Sequence, residues 1–284
     1  MATTAEYLTQ LQTDKSTLVT NLVAKGVDAT NDETFTSLVP KVANIQGGVD
    51  INDYFKPTIA AATNVQYTNG INAIIKKIPD TITLTGDSCA SMFQYCSAIT
   101  TIPSLDTSNV ISMSKMFFNC NALQTIPTLD TSKVTTMMSM FDSCTSLQTI
   151  PTLDTSKVMT FESTFYSCST LKSLPLLDMS SATSLYKTFL STSNLMYSSG
   201  FPNLGKAYLT TSAANNYTYT LTLSSCSKLT EISIINILNN LYDIKTKGCQ
   251  SQKVVLGSTN LAKLTSEEGQ TALSNAQAKG WTVS

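Results

Sequence analysis

Apolar residues recur through the middle of the chain every 24 residues, separated by Thr, Ser and Asp. Residues 102–125, 126–149 and 150–173 align without a gap, and residues 78–101 and 174–197 are weaker copies. A unit this short cannot bury a core of its own, so like residues of successive units are expected to stack. The expected interior has four columns: Leu105, Leu129, Leu153 and Leu177; Val110, Val134 and Val158; Phe93, Phe117, Phe141, Phe165 and Phe189; and Leu123, Leu147, Leu171 and Leu195.

The repeat predicts one turn or short helix and one extended stretch per coil. The MxxMFxxC segment is expected to turn, whereas LxxIPxLD is expected to be extended, with its proline limiting strand pairing. The predicted fold class is an α/β repeat: a leucine-rich-repeat-like solenoid of 24-residue coils, with a small helical N-terminal domain and a capping C-terminal segment.

The two ends of the chain have helical rather than 24-residue patterns. Residues 3–25 predict an amphipathic helix, a second short helix follows, and Gly47-Gly48 is expected to be a hinge. Near the other end, residues 232–246 predict a helix, KVVLG a strand, and Ser266 the cap of a last helix. The expected domains are a helical anchor or oligomerisation domain (1–46), a linker and N-terminal cap (47–77), the solenoid (78–197), an irregular insertion with a last partial repeat (198–232) and a C-terminal cap (233–284).

Two polar columns follow the same period. Cys96, Cys120, Cys144 and Cys168 predict buried thiols that satisfy backbone groups in the bend, with a metal site or cross-link as the alternative. The aspartates Asp106, Asp130, Asp154 and Asp178 each precede a hydroxyl residue, which favours capping of a turn over a calcium ladder. We therefore expect no metal and no cofactor.

Composition removes several classes of mechanism. The chain has 44 threonines and 35 serines, but all 18 basic residues are lysines and there is no His or Arg. Imidazole acid-base chemistry, Ser-His-Asp triads and arginine clamps on phosphate are therefore excluded. A glycosidase that pairs acids such as Asp106 and Asp130 is the enzyme alternative that remains, and we expect no enzyme.

Charge and hydropathy limit the partners. With 13% charged residues and a net charge of −1, the chain lacks the basic excess that nucleic acid or anionic lipid would attract. No segment approaches the roughly 20 apolar residues of a membrane span, and the first twenty residues show no secretory signal. Neither nucleic-acid binding nor membrane insertion is expected, and synthesis should leave the product in the cytosol.

The unit MFxxCxxLxxIPxLDTSxVTxM, over residues 78–197 with an echo at 226–232, resembles the bacterial surface-protein (BspA-type) leucine-rich repeat also found in Mycoplasma lipoproteins. The C-terminal stretch from residue 260 resembles the closing segment that often follows such repeats. The opening EYLTQLQTDKSTLVTNLVAKGVDATNDETFTSLVPKV is similar to the starts of tail-fibre and baseplate proteins of phages from Gram-positive gut bacteria.

The combined resemblance implies a non-enzymatic virion protein of the tail-fibre or baseplate type. Its N-terminal domain would bind other virion proteins, its repeats would bind a glycan or protein of the host surface, and it would form a homo-oligomer. It would assemble in the host cytoplasm and leave by lysis. A capsid decoration or head-fibre protein and a bacterial surface adhesin are the alternatives; the adhesins of the family have export signals.

Comparison of the repeats with one another suggests a binding surface. The two positions after each column Phe vary, and variation beside a fixed core residue is typical of an exposed row. An aromatic stripe on this row could stack on sugars or pack against a protein partner, and the alternative is that these are tolerated surface substitutions. The candidate binding residues are Tyr95, Phe118, Asp142 and Tyr166, and Tyr217 with Tyr219 form a second candidate patch.

Overall fold

The computed structural model describes residues 86–207, 220–246 and 252–284, together with Leu84 and a few positions before residue 33. Of the predicted N-terminal helix, the described positions 12, 15, 16, 19, 20 and 23 are helical. The second N-terminal helix, the Gly47-Gly48 hinge, the linker and the Tyr217–Tyr219 patch lie outside the described residues.

Each repeat bends at an eight-residue segment that ends on the Cys column, and we call this segment the elbow. In the first elbow, the amides of Met92, Gln94 and Cys96 donate to carbonyl oxygens three residues earlier, over 3.1, 3.2 and 3.1 Å. The MxxMFxxC segment is therefore a run of overlapping turns rather than a helix. The five elbows are residues 89–96, 113–120, 137–144, 161–168 and 185–192.

In the first four elbows, alternate backbone amides donate to carbonyl oxygens of the next coil. In the first elbow, the amides of Phe93 and Tyr95 donate to Met116 and Phe118 over 2.8 and 2.7 Å. Two residues per elbow, beginning with Ser91 and Tyr95, have a positive φ although none of them is glycine. Such a conformation is uncommon for residues with a side chain, and here hydrogen bonds both within and between coils hold it.

The predicted phenylalanine column is confirmed. Neighbouring rings from Phe93 to Phe189 lie 5.6 Å apart between centroids and within 12° of parallel, and each ring is at most 1% exposed. The predicted Leu and Val columns are buried as well. Like side chains thus contact like side chains along residues 86–207, which we call the repeat stack.

The cysteine side chains are buried and donate hydrogen bonds to backbone carbonyl oxygens, as the repeat pattern predicted. The thiols of Cys120 and Cys144 donate to the carbonyl oxygens of Phe93 and Phe117 over 3.0 and 3.1 Å. Thr192 replaces the cysteine in the last copy, and its hydroxyl donates to Phe165 over 2.6 Å. The described cysteines are all buried and free: Cys89, Cys96, Cys120, Cys144, Cys168 and Cys226.

Native thiols of the repeat stack should be unreactive. Burial raises the pKa of Cys89 to about 11 and that of Cys96 to about 12, and it raises the pKa of Cys144 as well. Because the thiolate is the nucleophile, Ellman's reagent at pH 8 should titrate at most one of the seven cysteines, Cys249, before unfolding and all seven in denaturant. The Cys249→Ser variant should show no native reaction, and rapid reaction of two or more thiols would contradict the packing.

Backbone pairing between coils is parallel and short. Isolated bridges link Ser88, Ser112, Thr136, Thr160 and Ser184 in succession, just ahead of the elbows. Within the predicted extended stretch, strand β1 (Ser173–Leu174) pairs in parallel with β2 (Tyr197–Ser198). Pro175 directly follows β1, where a ladder bond would be lost.

A mixed helix and strand segment follows the repeats. Strands β3 (Thr220–Thr222), β4 (Gln252–Val255) and β5 (Trp281–Val283) form a parallel sheet in the order β3-β4-β5. The helices are α1 (Glu231–Asn239), α2 (Ser258–Leu261) and α3 (Glu267–Ala278). Helix α1 ends seven residues before the predicted end, where the Asn240 side chain donates to the Asn236 carbonyl oxygen. The predicted Ser266 cap is confirmed, since its hydroxyl accepts the Gly269 amide over 3.0 Å.

This segment closes the C-terminal end of the repeat stack. Phe201, still within the repeat stack, is the last ring of the phenylalanine column and lies 5.4 Å from Phe189. Cys226 extends the cysteine column by donating to the Phe189 carbonyl oxygen over 3.8 Å, and the Thr230 amide donates to Met196 over 3.0 Å. None of the helices in the described residues is long and apolar enough to cross a bilayer.

Candidate functional site

The predicted binding row lies on the elbows, and its members follow one another from coil to coil. The amides of Tyr95, Asn119 and Ser143 donate to the carbonyl oxygens of Phe118, Asp142 and Tyr166 in the next coil, over 2.7, 2.8 and 2.8 Å. Tyr95 is 44% exposed, and its ring meets the edge of Phe118 at 5.4 Å between centroids. The structure thus brings two of the predicted aromatic residues together.

The predicted exposure of this row is confirmed only for Tyr95 among the candidate binding residues. Asp142 is only 9% exposed, and Phe118 and Tyr166 are half-buried. The coil of Asp142 also separates Tyr166 from the Tyr95–Phe118 pair. A side chain on an elbow has a coil on either side, so its neighbours cover it even where its sequence varies.

Asp142 has a buried carboxylate, and its neighbours only partly make up for the lost solvation. Burial raises its pKa above the usual range, whereas the Ser143 hydroxyl, which donates over 2.8 Å, and the nearby Lys115 and Lys187 lower it. Folding therefore favours the protonated form of Asp142. This residue is better explained as a cost of packing than as a ligand-binding group.

Replacing Asp142 by asparagine should stabilise the protein at neutral pH. A raised folded pKa means that the group contributes stability below its unfolded pKa of about 3.9 and loses it as the pH rises through the folded pKa. The Asp142→Asn variant should therefore have the higher Tm at pH 7, by a few degrees, and no advantage at pH 3. Asp154→Asn is the matched control, because the pKa of Asp154 is lowered and its replacement should not stabilise at pH 7. Equal responses of the two variants would contradict the assignment.

The aspartate column caps turns, as predicted. The amides of Ser108, Ser132 and Ser156 donate to Oδ1 of the aspartates two residues earlier, over 3.1, 3.0 and 3.0 Å. The hydroxyls of Ser108 and Ser156, followed by their amides, lower the pKa of Asp106 and Asp154, and the amide and hydroxyl of Ser132 lower that of Asp130, so the carboxylates are ionised near neutral pH. Within the part of the chain that the structure describes, no three acidic or thiol groups converge as a metal site requires.

A second surface was missed by the sequence reasoning, and we call it the threonine face. It flanks the isoleucine of each Ile-Pro pair with uncharged residues; Ile102 and Ile150 are buried and Ile126 is half-buried. The internal repeat comparison could have shown this face, because its positions stay Thr, Gln or Ser. All nine members are exposed: Thr100, Thr101, Ser104, Gln124, Thr125, Thr128, Gln148, Thr149 and Thr152.

The threonine face is built by coil-to-coil contacts and ends at an aromatic residue. The backbone N–H of Gln124 donates to the Thr100 carbonyl oxygen over 3.0 Å, which aligns the residues of the face from one coil to the next. Thr149 pairs with Ser173, and Ser173 pairs with Tyr197, so the Thr101, Thr125 and Thr149 column continues to Tyr197. Tyr197 is 54% exposed. The arrangement offers hydroxyl groups at every coil, side-chain amides at the second and third coils, and one ring at the end.

Comparisons with known proteins identify the repeats alone. Neither the curated proteins nor the solved structures include a match to this chain. The likeness of the N-terminal segment to phage tail proteins stays a prediction, whereas the Mycoplasma-type, BspA-like part of the resemblance is confirmed for the repeats. Residues 87–199 match the family described as "Mycoplasma protein of unknown function, DUF285".

Proposed function

We propose that the chain is a non-enzymatic virion protein of the tail-fibre or baseplate type, and that its repeats form a leucine-rich-repeat-like solenoid that contacts the host surface. Residues 1–46 are the proposed anchor to other virion proteins and the proposed site of homo-oligomerisation. The repeats present the surface that meets a host glycan or protein.

The observation that supports this proposal most is the register of the repeat stack. Five phenylalanine rings follow one another at 5.6 Å, and the same hydrogen bonds to the next coil recur in the first four elbows. A stack of this kind is stabilised by contacts between neighbouring coils, so its exterior can vary without loss of the fold. Such a scaffold suits presentation, because a binding surface on it is held rigidly and extends over several coils.

Antibody labelling of particles tests this proposal. A gold-labelled antibody against the full chain should decorate the tail tip of phage particles that are released from a bacterial culture carrying the coding sequence. The purified chain should also bind intact host cells and compete with the particles for adsorption. Absence of label from purified particles would reject a virion protein.

The second candidate is a bacterial surface adhesin, and the match of residues 87–199 to a family described from Mycoplasma supports a bacterial setting for it. Label on intact bacterial cells and none on particles would favour this reading. Label on the head would instead favour a capsid decoration or head-fibre protein. The same preparation therefore separates the three possibilities.

A further inference from the structure

The threonine face has the chemistry of a surface for an uncharged, hydroxyl-rich ligand. Each of its three coils offers two or three exposed hydroxyls, and the side-chain amides of Gln124 and Gln148 add further donors and acceptors, with Gln148 Oε1 already accepting from Lys172 Nζ over 3.3 Å. Because the groups recur once per coil, a ligand that repeats along the stack axis meets the same set of donors and acceptors several times. Single contacts of this kind are weak, and their sum over several coils gives useful affinity.

The charges around the threonine face are nearly balanced. Asp106, Asp130 and Asp154 are exposed along one edge, two residues beyond the last threonine column. The exposed Lys133 and Lys157 follow three residues after Asp130 and Asp154, and the exposed Lys172 continues the column of Gln124 and Gln148, where its Nζ donates to Gln148 Oε1 over 3.3 Å. These three carboxylates and three ammonium groups give the surroundings of the face no net charge, which suits a neutral polymer better than a polyanion. In addition, the described hydrogen bonds of these aspartates use Oδ1, which leaves Oδ2 to accept from a ligand hydroxyl.

Tyr197 gives the face a platform for a ring. It lies in β2, beyond Ser173 in the column that Thr101, Thr125 and Thr149 begin. The exposed Leu176 belongs to the neighbouring coil and adds apolar surface near this end of the face. Aromatic side chains present an apolar ring with a polar tip, which suits the flat side of a sugar and its hydroxyl edge.

From these features we propose that the threonine face binds a neutral, linear polysaccharide that lies along the stack axis, with one sugar ring on Tyr197. The inference rests on the proposed function and names its ligand class and its site. The polymer repeats one ring after another as the face repeats one coil after another, and its hydroxyls bond to the Thr, Gln and Asp side chains. The elbow row with Tyr95 takes no part in this contact.

Affinity electrophoresis of the full chain tests the site. The gels contain hydroxyethyl cellulose, glucomannan, mixed-linkage β-glucan or dextran as neutral polymers, and alginate or wall teichoic acid as anionic ones. Three variants are compared with the wild type: Tyr197→Ala, Thr149→Glu and, as the matched control on the elbow, Tyr95→Ala. Equal thermal unfolding of the four proteins shows that surface changes have left the fold intact.

Retention by at least one neutral polymer is expected, with about a tenfold loss of affinity for Tyr197→Ala, a loss for Thr149→Glu and no change for Tyr95→Ala. Retention only by anionic polymers, or by none, overturns the proposal. So does a loss confined to Tyr95→Ala. Binding to host cells distinguishes failure of the proposed site from failure of the proposed function. If the wild type and Tyr197→Ala bind cells equally, the site is wrong and the proposed function stands. If the wild type does not bind cells, attachment itself is rejected.

Discussion

Replacing Phe141 by alanine is expected to destabilise the protein by about 3–5 kcal/mol, the usual cost of deleting a buried aromatic side chain. Phe141 is fully buried and stacks on Phe117 and Phe165, at 5.6 Å on each side. Its loss opens a cavity and interrupts the column between the first two coils and the last two. Since coils interact only with their neighbours, the two halves should then unfold at different denaturant concentrations. Urea unfolding followed by far-UV circular dichroism measures both effects.

Phe118→Ala is the matched control for Phe141→Ala. It removes the same side chain from the neighbouring coil, but at a position that is only half-buried. Phe118 is half-buried and contacts the exposed Tyr95 through one edge. Its replacement should cost about 1 kcal/mol and leave unfolding cooperative. If both variants lose the same stability, the phenylalanine column is not the structural axis of the repeats.

Replacing Asn260 by alanine is expected to cost about 2–4 kcal/mol, because three buried carbonyl oxygens lose a donor together. The Nδ2 group of fully buried Asn260 donates to Leu223, Cys226 and Leu256 over 3.3, 3.2 and 3.1 Å, and Lys263 Nζ donates to its Oδ1 over 3.0 Å. One side chain thus links the loop after β3, the end of β4 and helix α2. Release of this link should weaken the cap that closes the repeat stack.

The Asn260→Asp variant sharpens the test of this network. It keeps the shape of the side chain but places a carboxylate opposite three carbonyl oxygens, so its loss at pH 7 should equal or exceed that of alanine. Thr259→Ala is the matched control, since Thr259 is exposed in the same helix and should change stability by less than about 0.5 kcal/mol. Fluorescence of Trp281, the only tryptophan, reports on unfolding of the cap. An aspartate variant as stable as the wild type would contradict the network.

The repeat period made much of the interior predictable. Residues such as Phe141 and Cys144 are identical or nearly so at every coil, and only stacking in register buries all of them together. The Ser266 cap was predictable because its signal is local. These features depend on sequence patterns that repeat or on residues that are near one another in the chain.

Other features depend on what surrounds a residue in space. Asp142 varies among the repeats like a surface position, but the neighbouring coils cover it. The positive φ of Lys115 and Ser139 has no glycine or asparagine to announce it, since bonds to other coils hold it. Strand β3 is three residues long and pairs with β4, thirty residues later in the chain, so no local pattern marks it. The alignment of the threonine face with Tyr197 likewise follows from coil-to-coil pairing.

Deletion of one whole repeat tests the stacking of 24-residue coils most directly. Removing residues 126–149 joins Thr125 to Ile150 and restores the register of every column, whereas removing residues 126–137 shifts the following half of the stack by half a coil. In urea unfolding followed by far-UV circular dichroism, the 24-residue deletion should keep a cooperative transition and the wild-type spectrum shape, and the 12-residue deletion should lose both. Equal behaviour of the two deletions, folded or unfolded, would contradict the account.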